Sequence, residues 1–520
     1  MALLIAFVCT GCALIPRPGD APQTVRIDTG VLRGVLSDRA RLFYDIPYAA
    51  PPVGPLRWEL PQRPGSWTGE RAAKTPGVAC LQEGSTEQLP SSEDCLYLNV
   101  TTPREVAADA QLPVMVWWHG GGFTRDAGNY YDAQRLADRG QVVVITANYR
   151  LGIFGYLGLP GLEGSGNFGL ADQLATLEWA KRNAGVFGGD PDNVTVFGQS
   201  AGAMSACAAL TAPRAAELID KVALASGSCK LSWPAGGLYP KAPAQQPYVS
   251  LERAQADGLV AARELGCSTD QPLECLREKK SDELLPVNQG FANHVAHGTE
   301  LLPRHPATAL DQGRFARVPV LSGGTRDEAR SFVGGAIDFD PATITATTYP
   351  TLLRRAFGDD GAAVANRYPL ARFPSAGLAW ATVLSDQSWA CPTQEAQQRL
   401  AEHTTVFPYE FADPQAPNLN KIKTPEVPQG AAHGTDLPSL FDLFGIDMLP
   451  TDPQQQLSET MIDYWATFAR TGDPNHDGAP RWTRADDHGR ALRLAPSEIA
   501  VADVAADHQC SFWAELGRGE

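Results

Sequence analysis

An α/β architecture with one large, mostly parallel sheet flanked by helices, entered through an N-terminal antiparallel hairpin, is what this 520-residue sequence predicts. Three observations carry that expectation. Short β-branched and aromatic runs alternate with helix-length segments along most of the chain, the pattern of parallel strands joined by crossover helices. Two of those runs read as buried strands, the one from Leu112 continuously apolar and the other Gln141-Val-Val-Val-Ile-Thr-Ala-Asn148. The stretch 193–210 then reads as a strand, a glycine-flanked turn carrying Ser200, and a helix of small residues. Length alone would suggest two to four units. Because the motifs run on without a break, the expected organisation is a leader and short linker over 1–20 and a single large domain over 21–520.

Composition sets the outer bounds. Hydrophobic residues make up 43% and charged residues 20% of the chain, ample for a core. The formal net charge of −16, with no cluster of Lys and Arg, argues against a nucleic-acid partner. No apolar run is long enough to span a bilayer. Ala2-Leu-Leu-Ile-Ala-Phe-Val8, followed by Cys9-Thr-Gly-Cys12 and a Pro-rich segment, looks like the hydrophobic and cleavage regions of a secretory signal without its basic start. Thr10-Gly-Cys12 resembles the end of a bacterial lipoprotein cleavage site, with Cys9 where Leu is usual. The expectation is export to the cell envelope or medium, with Cys12 a candidate for a lipid tether to the membrane.

In chain order, Val25, Ile27, Val31 and Val35 read as a hairpin turning at Asp28-Thr-Gly30. A Pro-punctuated loop follows over 43–57, and then a polar stretch lies between Cys80 and Cys95. The apolar strand from Leu112 ends in Gly120-Gly-Gly-Phe123. A helical pattern runs from Leu170 to Asn183, and a long polar helical region from Leu251 to Leu285. Val318-Pro-Val-Leu-Ser-Gly-Gly324 is a further strand, followed by Thr325-Arg-Asp-Glu-Ala329.

Ser200 is the candidate nucleophile. A sharp strand-to-helix turn leaves no room for side chains two residues before and after the serine, and Gly198 and Gly202 stand there. Such a turn lifts the hydroxyl to the positive end of the new helix and leaves the Ala201 N–H facing a developing oxyanion. Gly121 and Gly122, bare backbone at a strand end, are the remaining oxyanion donors. Asp327 and Glu328, just past a strand end, both qualify as the acid. The chain order nucleophile, acid, base leaves His403, His433, His476, His488 and His508 as bases. His433, on the small-residue loop Gly430-Ala-Ala-His-Gly-Thr435, is the choice, since an imidazole there can enter a crowded site.

With these residues collected, the chain resembles the type-B carboxylesterase family of α/β-hydrolases, which includes cholinesterases and bacterial para-nitrobenzyl esterases. The likeness runs from about Val25 to the Cys510 region. Tyr48-Ala-Ala-Pro-Pro-Val-Gly54, Ser92-Glu-Asp-Cys-Leu-Tyr-Leu-Asn99, Gly120-Gly-Gly-Phe123, Asn167-Phe-Gly-Leu-Ala-Asp-Gln173, Phe187-Gly-Gly-Asp-Pro191 and Phe197-Gly-Gln-Ser-Ala-Gly202 stand in family order. The resemblance implies the α/β-hydrolase fold, Glu328 as the acid, His433 as the base and Trp233 at an acyl-pocket position. It also implies disulfides Cys80–Cys95, Cys267–Cys275 and Cys391–Cys510, each worth about 2–4 kcal/mol, and an ion pair between Arg57 and Glu93. Cys207 and Cys229 are left over as buried free thiols.

The expected activity is hydrolysis of small to medium apolar esters through an acyl-enzyme, with a Ser-His-Glu triad, a backbone oxyanion hole and no metal or organic cofactor. Departures from the family bear on substrate. The loop from Cys80 to Cys95 holds no Trp, Gln199 replaces an acidic neighbour of the serine, and Ser331 stands where a second aromatic would be. These argue against choline esters. Asp327-Glu-Ala329 replaces the family's Asp-Glu-Gly. The alternatives are a non-catalytic surface binding protein and an amide or carbamate hydrolase.

Overall fold

The computed structural model describes residues 22–107, 109–267, 270–486 and 488–517; the leader and Cys12 lie outside them. Among the described residues the chain builds an 11-stranded sheet in the spatial order 498–502, 491–495, 406–411, 320–325, 221–225, 189–199, 112–118, 143–147, 97–103, 40–47, 35–36. The strands from 491–495 across to 143–147 pair in parallel, and those at both edges pair antiparallel. This is the large, mainly parallel sheet that the sequence predicts. The N-terminal hairpin pairs Thr24–Ile27 with Gly30–Arg33, and Glu70–Ala72 adds a third strand to it.

Strand Leu112–Trp118 is apolar throughout because both of its faces are covered. Val114, Val116 and Trp118 enter one core with the helix Phe168–Asn183, while Met115 and Trp117 enter another with the helix Asp452–Thr471. The small residues of helix Ala201–Thr211 let its backbone lie close to the sheet: Ala203, Ala206 and Ala209 are fully buried. The polar region 251–285 is not one helix. It breaks into Leu251–Glu264, Pro272–Glu278 and Ser281–Leu284, because Gly266 takes a positive φ of 75°, Pro272 restarts the helix, and Cys267 is bonded to Cys275 across the gap.

Disulfides join Cys80 to Cys95, Cys267 to Cys275 and Cys391 to Cys510. Cys207 and Cys229 are not free thiols. Their Cα atoms are 5.5 Å apart and their sulfurs are bonded. Strands 189–199 and 221–225 are parallel neighbours, so the helix after the first and the turn after the second emerge side by side, a proximity that chain separation hides. Arg57 and Glu93 form a buried bidentate pair, and Arg57 also donates to the carbonyls of Leu276 and Lys279, which ties the 272–278 helix to the N-terminal loop. Removing one partner of such a pair costs about 3–5 kcal/mol.

A second buried charge cluster involves His508, which the sequence offered as a candidate base. Its Nδ1 meets Asp386 Oδ1 at 2.6 Å and its Nε2 meets Glu410 Oε1 at 2.7 Å, so both ring nitrogens donate to carboxylates and the ring is an imidazolium. Tyr368 donates to Asp386 and Arg493 to Glu410. Burial alone would push His508 down, but the two carboxylates more than offset it and raise the imidazole to about 10. Burial holds Asp386 above its ordinary value, whereas Glu410, with two cations against it, is held below despite its burial.

Two outcomes are expected. Alkylation of the unfolded, unreduced protein followed by peptide mapping recovers a Cys207–Cys229 linked peptide; alkylated Cys207 would contradict the bond. Because the folded-state value of His508 lies above its ordinary 6.5, its stabilisation is complete below about 6.5 and is lost as pH climbs through about 10. The melting temperature should fall across that window, and His508→Gln should lower it at neutral pH and flatten the slope. Equal slopes in the two proteins would contradict the assignment.

Candidate active site

Ser200 sits where strand 189–199 gives way to helix Ala201–Thr211, with φ 55° and ψ −124°, a conformation a residue with a side chain rarely adopts. The glycines explain how it is held. A Cβ at Gly198 would lie 2.6 Å from the Gly202 backbone, and one at Gly202 would run into the Trp118 carbonyl. Gly227 closes the third side, since its Cβ would meet the Ser200 carbonyl at 2.7 Å. The loop after strand 112–118 passes against the turn: a Cβ at Gly120 would be 3.1 Å from that of Ser200. Gly121 and Gly122 follow with φ 88° and 63°. The N–H groups of Gly121, Gly122 and Ala201 make no turn, cap or loop bond among the described residues, which leaves them available to an anion.

The acid and base follow strands 320–325 and 406–411, which lie next in the sheet beyond 221–225. Glu328 follows strand 320–325, and its Oε2 lies 2.5 Å from His433 Nδ1 while its Oε1 accepts from the Thr325 N–H at 2.9 Å. Glu328 is buried and His433 partly exposed, with side-chain exposures of 3% and 13%. Asp327, the other candidate acid, points elsewhere. Its carboxylate pairs with Arg326 and Arg330 and accepts the Ala431 N–H, so it staples the loop that carries His433. Gly430 makes this approach feasible, as a Cβ there would be 2.7 Å from Asp327 Oδ2.

The outer edge of the imidazole is already engaged. Gln199 Nε2 lies 3.2 Å from His433 Nε2 and donates to it, which requires the proton on Nδ1, facing Glu328. Ser200 Oγ makes no hydrogen bond to the imidazole among the described residues. Asp436, one turn beyond His433, is a further carboxyl that sequence reasoning missed. It is 5% exposed and its Oδ1 has no hydrogen-bond partner among the described residues. Burial first, and then the Glu328 carboxylate, push it up to about 7.

One flank of the site is aromatic. The His433 ring is 4.7 Å from Trp389 and 5.1 Å from Phe332, which themselves stack at 5.8 Å. Trp233, expected at the acyl pocket, is buried one ring further out, 5.4 Å from Trp389. Trp389 was not singled out from the sequence, since nothing local distinguishes it from other core aromatics. A cavity of about 1130 Å³ lies on the far side of Trp233 and reaches Phe357 and Trp513 without touching the serine, the histidine or the glutamate.

Comparison with known proteins agrees with this geometry. The model of the carboxylesterase family matches residues 21–513. The para-nitrobenzyl esterase of Bacillus subtilis (strain 168) is 33% identical over 92% of this chain and 96% of its own length. Human cocaine esterase is 31% identical, covering 91% of this chain and 86% of its own. The fumonisin B1 esterase of Sphingopyxis macrogoltabida is 32% identical over the same shares, 91% and 86%. Among solved structures, a thermophilic PNB esterase superposes with a TM-score of 0.77 at 30% identity, covering 94% of this chain and 99% of its own. With the sheet, the serine turn and a match of this extent in agreement, the chain belongs to the carboxylesterase family.

Proposed function

We propose that the chain hydrolyses small to medium apolar carboxylic esters through an acyl-enzyme, with Ser200 as nucleophile, His433 as general base and acid, and Glu328 as its orienting carboxylate. The observation that carries this is the 2.5 Å contact of Glu328 with His433 Nδ1, on a loop set beside the strained Ser200 turn. Glu328 fixes the tautomer that leaves Nε2 a base and stabilises the imidazolium that forms. Gln199 must yield Nε2 to Ser200 for the first proton transfer, a tightening that substrate-free sites commonly leave undone. Ser200 Oγ then attacks the ester carbonyl, and the oxyanion is received by the Gly121, Gly122 and Ala201 N–H groups at the positive end of helix Ala201–Thr211. The imidazolium protonates the departing alcohol, and water repeats the sequence on the acyl-Ser200 ester.

The apolar preference is supported by Trp389 and Phe332 beside the imidazole, with Trp233 packed behind Trp389, and by relatives named para-nitrobenzyl esterase and cocaine esterase. We also propose that the protein is exported and tethered through acylated Cys12. Four disulfides among the described residues fit an oxidising compartment.

On para-nitrophenyl butyrate, Ser200→Ala is expected to lower kcat on the order of 10⁶-fold and Glu328→Gln about 10⁴-fold. A fluorophosphonate should label the wild type and not Ser200→Ala; full turnover by either variant would remove the assignment. Expression in a bacterial host with labelled palmitate should mark the protein, and Cys12→Ser should abolish the mark. Equal labelling of both would end the tether proposal.

A further inference from the structure

The polar stretch between Cys80 and Cys95 supplies no member of the triad and no strand of the central sheet, yet one of its side chains reaches the glycine loop. Gln82, 8% exposed, grips both backbone groups of Asp126. Its Oε1 accepts the Asp126 N–H at 2.8 Å, and its Nε2 donates to the Asp126 carbonyl at 2.9 Å. The second N–H of the same amide goes to the Cys80 carbonyl, also at 2.9 Å. Both donors are then spent, which fixes the orientation of the amide and ties its grip to the Cys80–Cys95 bond.

What Asp126 rests against gives that grip a consequence. Gly121, Gly122, Phe123 and Asp126 have φ of 88°, 63°, 65° and 90°. Two of the four carry side chains, and backbone of this kind persists only where its surroundings hold it. The loop also folds back on itself. The Thr124 N–H donates to the Gly121 carbonyl at 3.2 Å, and a Cβ on Gly121 would run into the Arg125 carbonyl and lie 3.0 Å from Asp126 Cβ. Asp126 therefore presses on Gly121. Phe123 is held from the other side, where its carbonyl accepts the Gly152 N–H at 2.7 Å and its ring meets that of Tyr156 edge-on. Tyr131 donates to the Asp126 carboxylate at 2.7 Å, but a carboxylate on rotatable bonds leaves the peptide groups free to turn. Gln82 fixes those peptide groups directly.

We propose that Gln82 is a positioning residue for ester hydrolysis: by clamping Asp126 it keeps the Gly121 and Gly122 N–H groups aimed at the place where the oxyanion forms. This rests on the ester-hydrolase reading above. Without the clamp, Asp126 relaxes toward an ordinary φ, and the shift passes through Arg125 to Gly121 while Ser200, His433 and Glu328 stay in place. Donors of this kind act on charge that develops only after the ester is bound, so the loss falls on kcat and not on KM.

The test uses the full chain and three variants. Gln82→Met keeps the length and removes the polar groups, and Gln82→Asn keeps the amide and shortens its reach. Thr86→Ala breaks the bond from the Leu89 N–H to Thr86 in the same disulfide loop, away from Asp126. Turnover of para-nitrophenyl butyrate is divided by the sites that a fluorophosphonate titrates to completion, so misfolded protein does not count. Per titrated site, kcat should fall about 10- to 100-fold in Gln82→Met, with KM unchanged. Gln82→Asn should lose less, and it serves alone if the methionine variant does not fold. The inhibition constant of an alkyl trifluoromethyl ketone, whose adduct with Ser200 carries the oxyanion, should rise by the factor that kcat/KM loses. Thr86→Ala should match the wild type throughout. An unchanged kcat per titrated site overturns the proposal, as does a loss confined to KM. An equal loss in Thr86→Ala also overturns it, since Gln82 would then only support the disulfide loop. A wild type that neither turns over nor labels would strike the ester-hydrolase reading itself, whereas an active wild type with unaffected Gln82 variants strikes the role of Gln82 alone.

Discussion

The candidate site depends on the contact between Gly202 and the carbonyl of Trp118, where there is no space for even one methyl group. Strands 189–199 and 112–118 are hydrogen-bonded neighbours. Each ends in a structure that only glycine permits, one the Ser200 turn and the other the loop at Gly120, Gly121 and Gly122. Because the two ends touch, the hydroxyl and the free N–H groups are delivered together. A Cβ at 202 would push the helix off the strand and separate them, with the rest of the fold intact.

Around that fixed point the remaining groups come from loops on successive parallel strands, and ion pairs, hydrogen bonds and aromatic packing set their positions together. Asp327 is bound to two arginines and to the backbone at Ala431, so the His433 loop is anchored through a carboxylate that does not touch the imidazole. Glu328 is then free to face the imidazole. Two further carboxyls near this sheet edge are shifted in opposite directions. Asp436 is pushed up by burial beside Glu328, whereas Glu410 is held down by His508 and Arg493. The same cavity, about 40 Å³, is lined by Glu328, Glu410, Trp389 and His508, so the charged network under the site and the site itself share a wall.

The disulfides reinforce the elements that hold this edge. Cys207–Cys229 fastens the helix behind Ser200 to the next strand's turn, and Cys391–Cys510 fastens the segment after Trp389 to the C-terminal helix just past His508. Both lie where a small displacement would reach the imidazole or the serine.

What the sequence determined alone was whatever depends on residues a few positions apart. The buried parallel strands, the hairpin at Asp28-Thr29, the serine turn and its two glycines, and the glycine loop were legible because sterics and hydrophobic period act locally. The family likeness added an acid and three cysteine pairs from distant positions. The tertiary structure decided the rest: the bond between Cys207 and Cys229, Gln199 resting on His433 Nε2, the stapling role of Asp327, the burial of Asp436 beside Glu328, and Trp389 standing between His433 and Trp233. Each of these joins groups that the order of strands in the sheet brings together, and neither periodicity nor spacing along the chain encodes which loops will meet across a sheet.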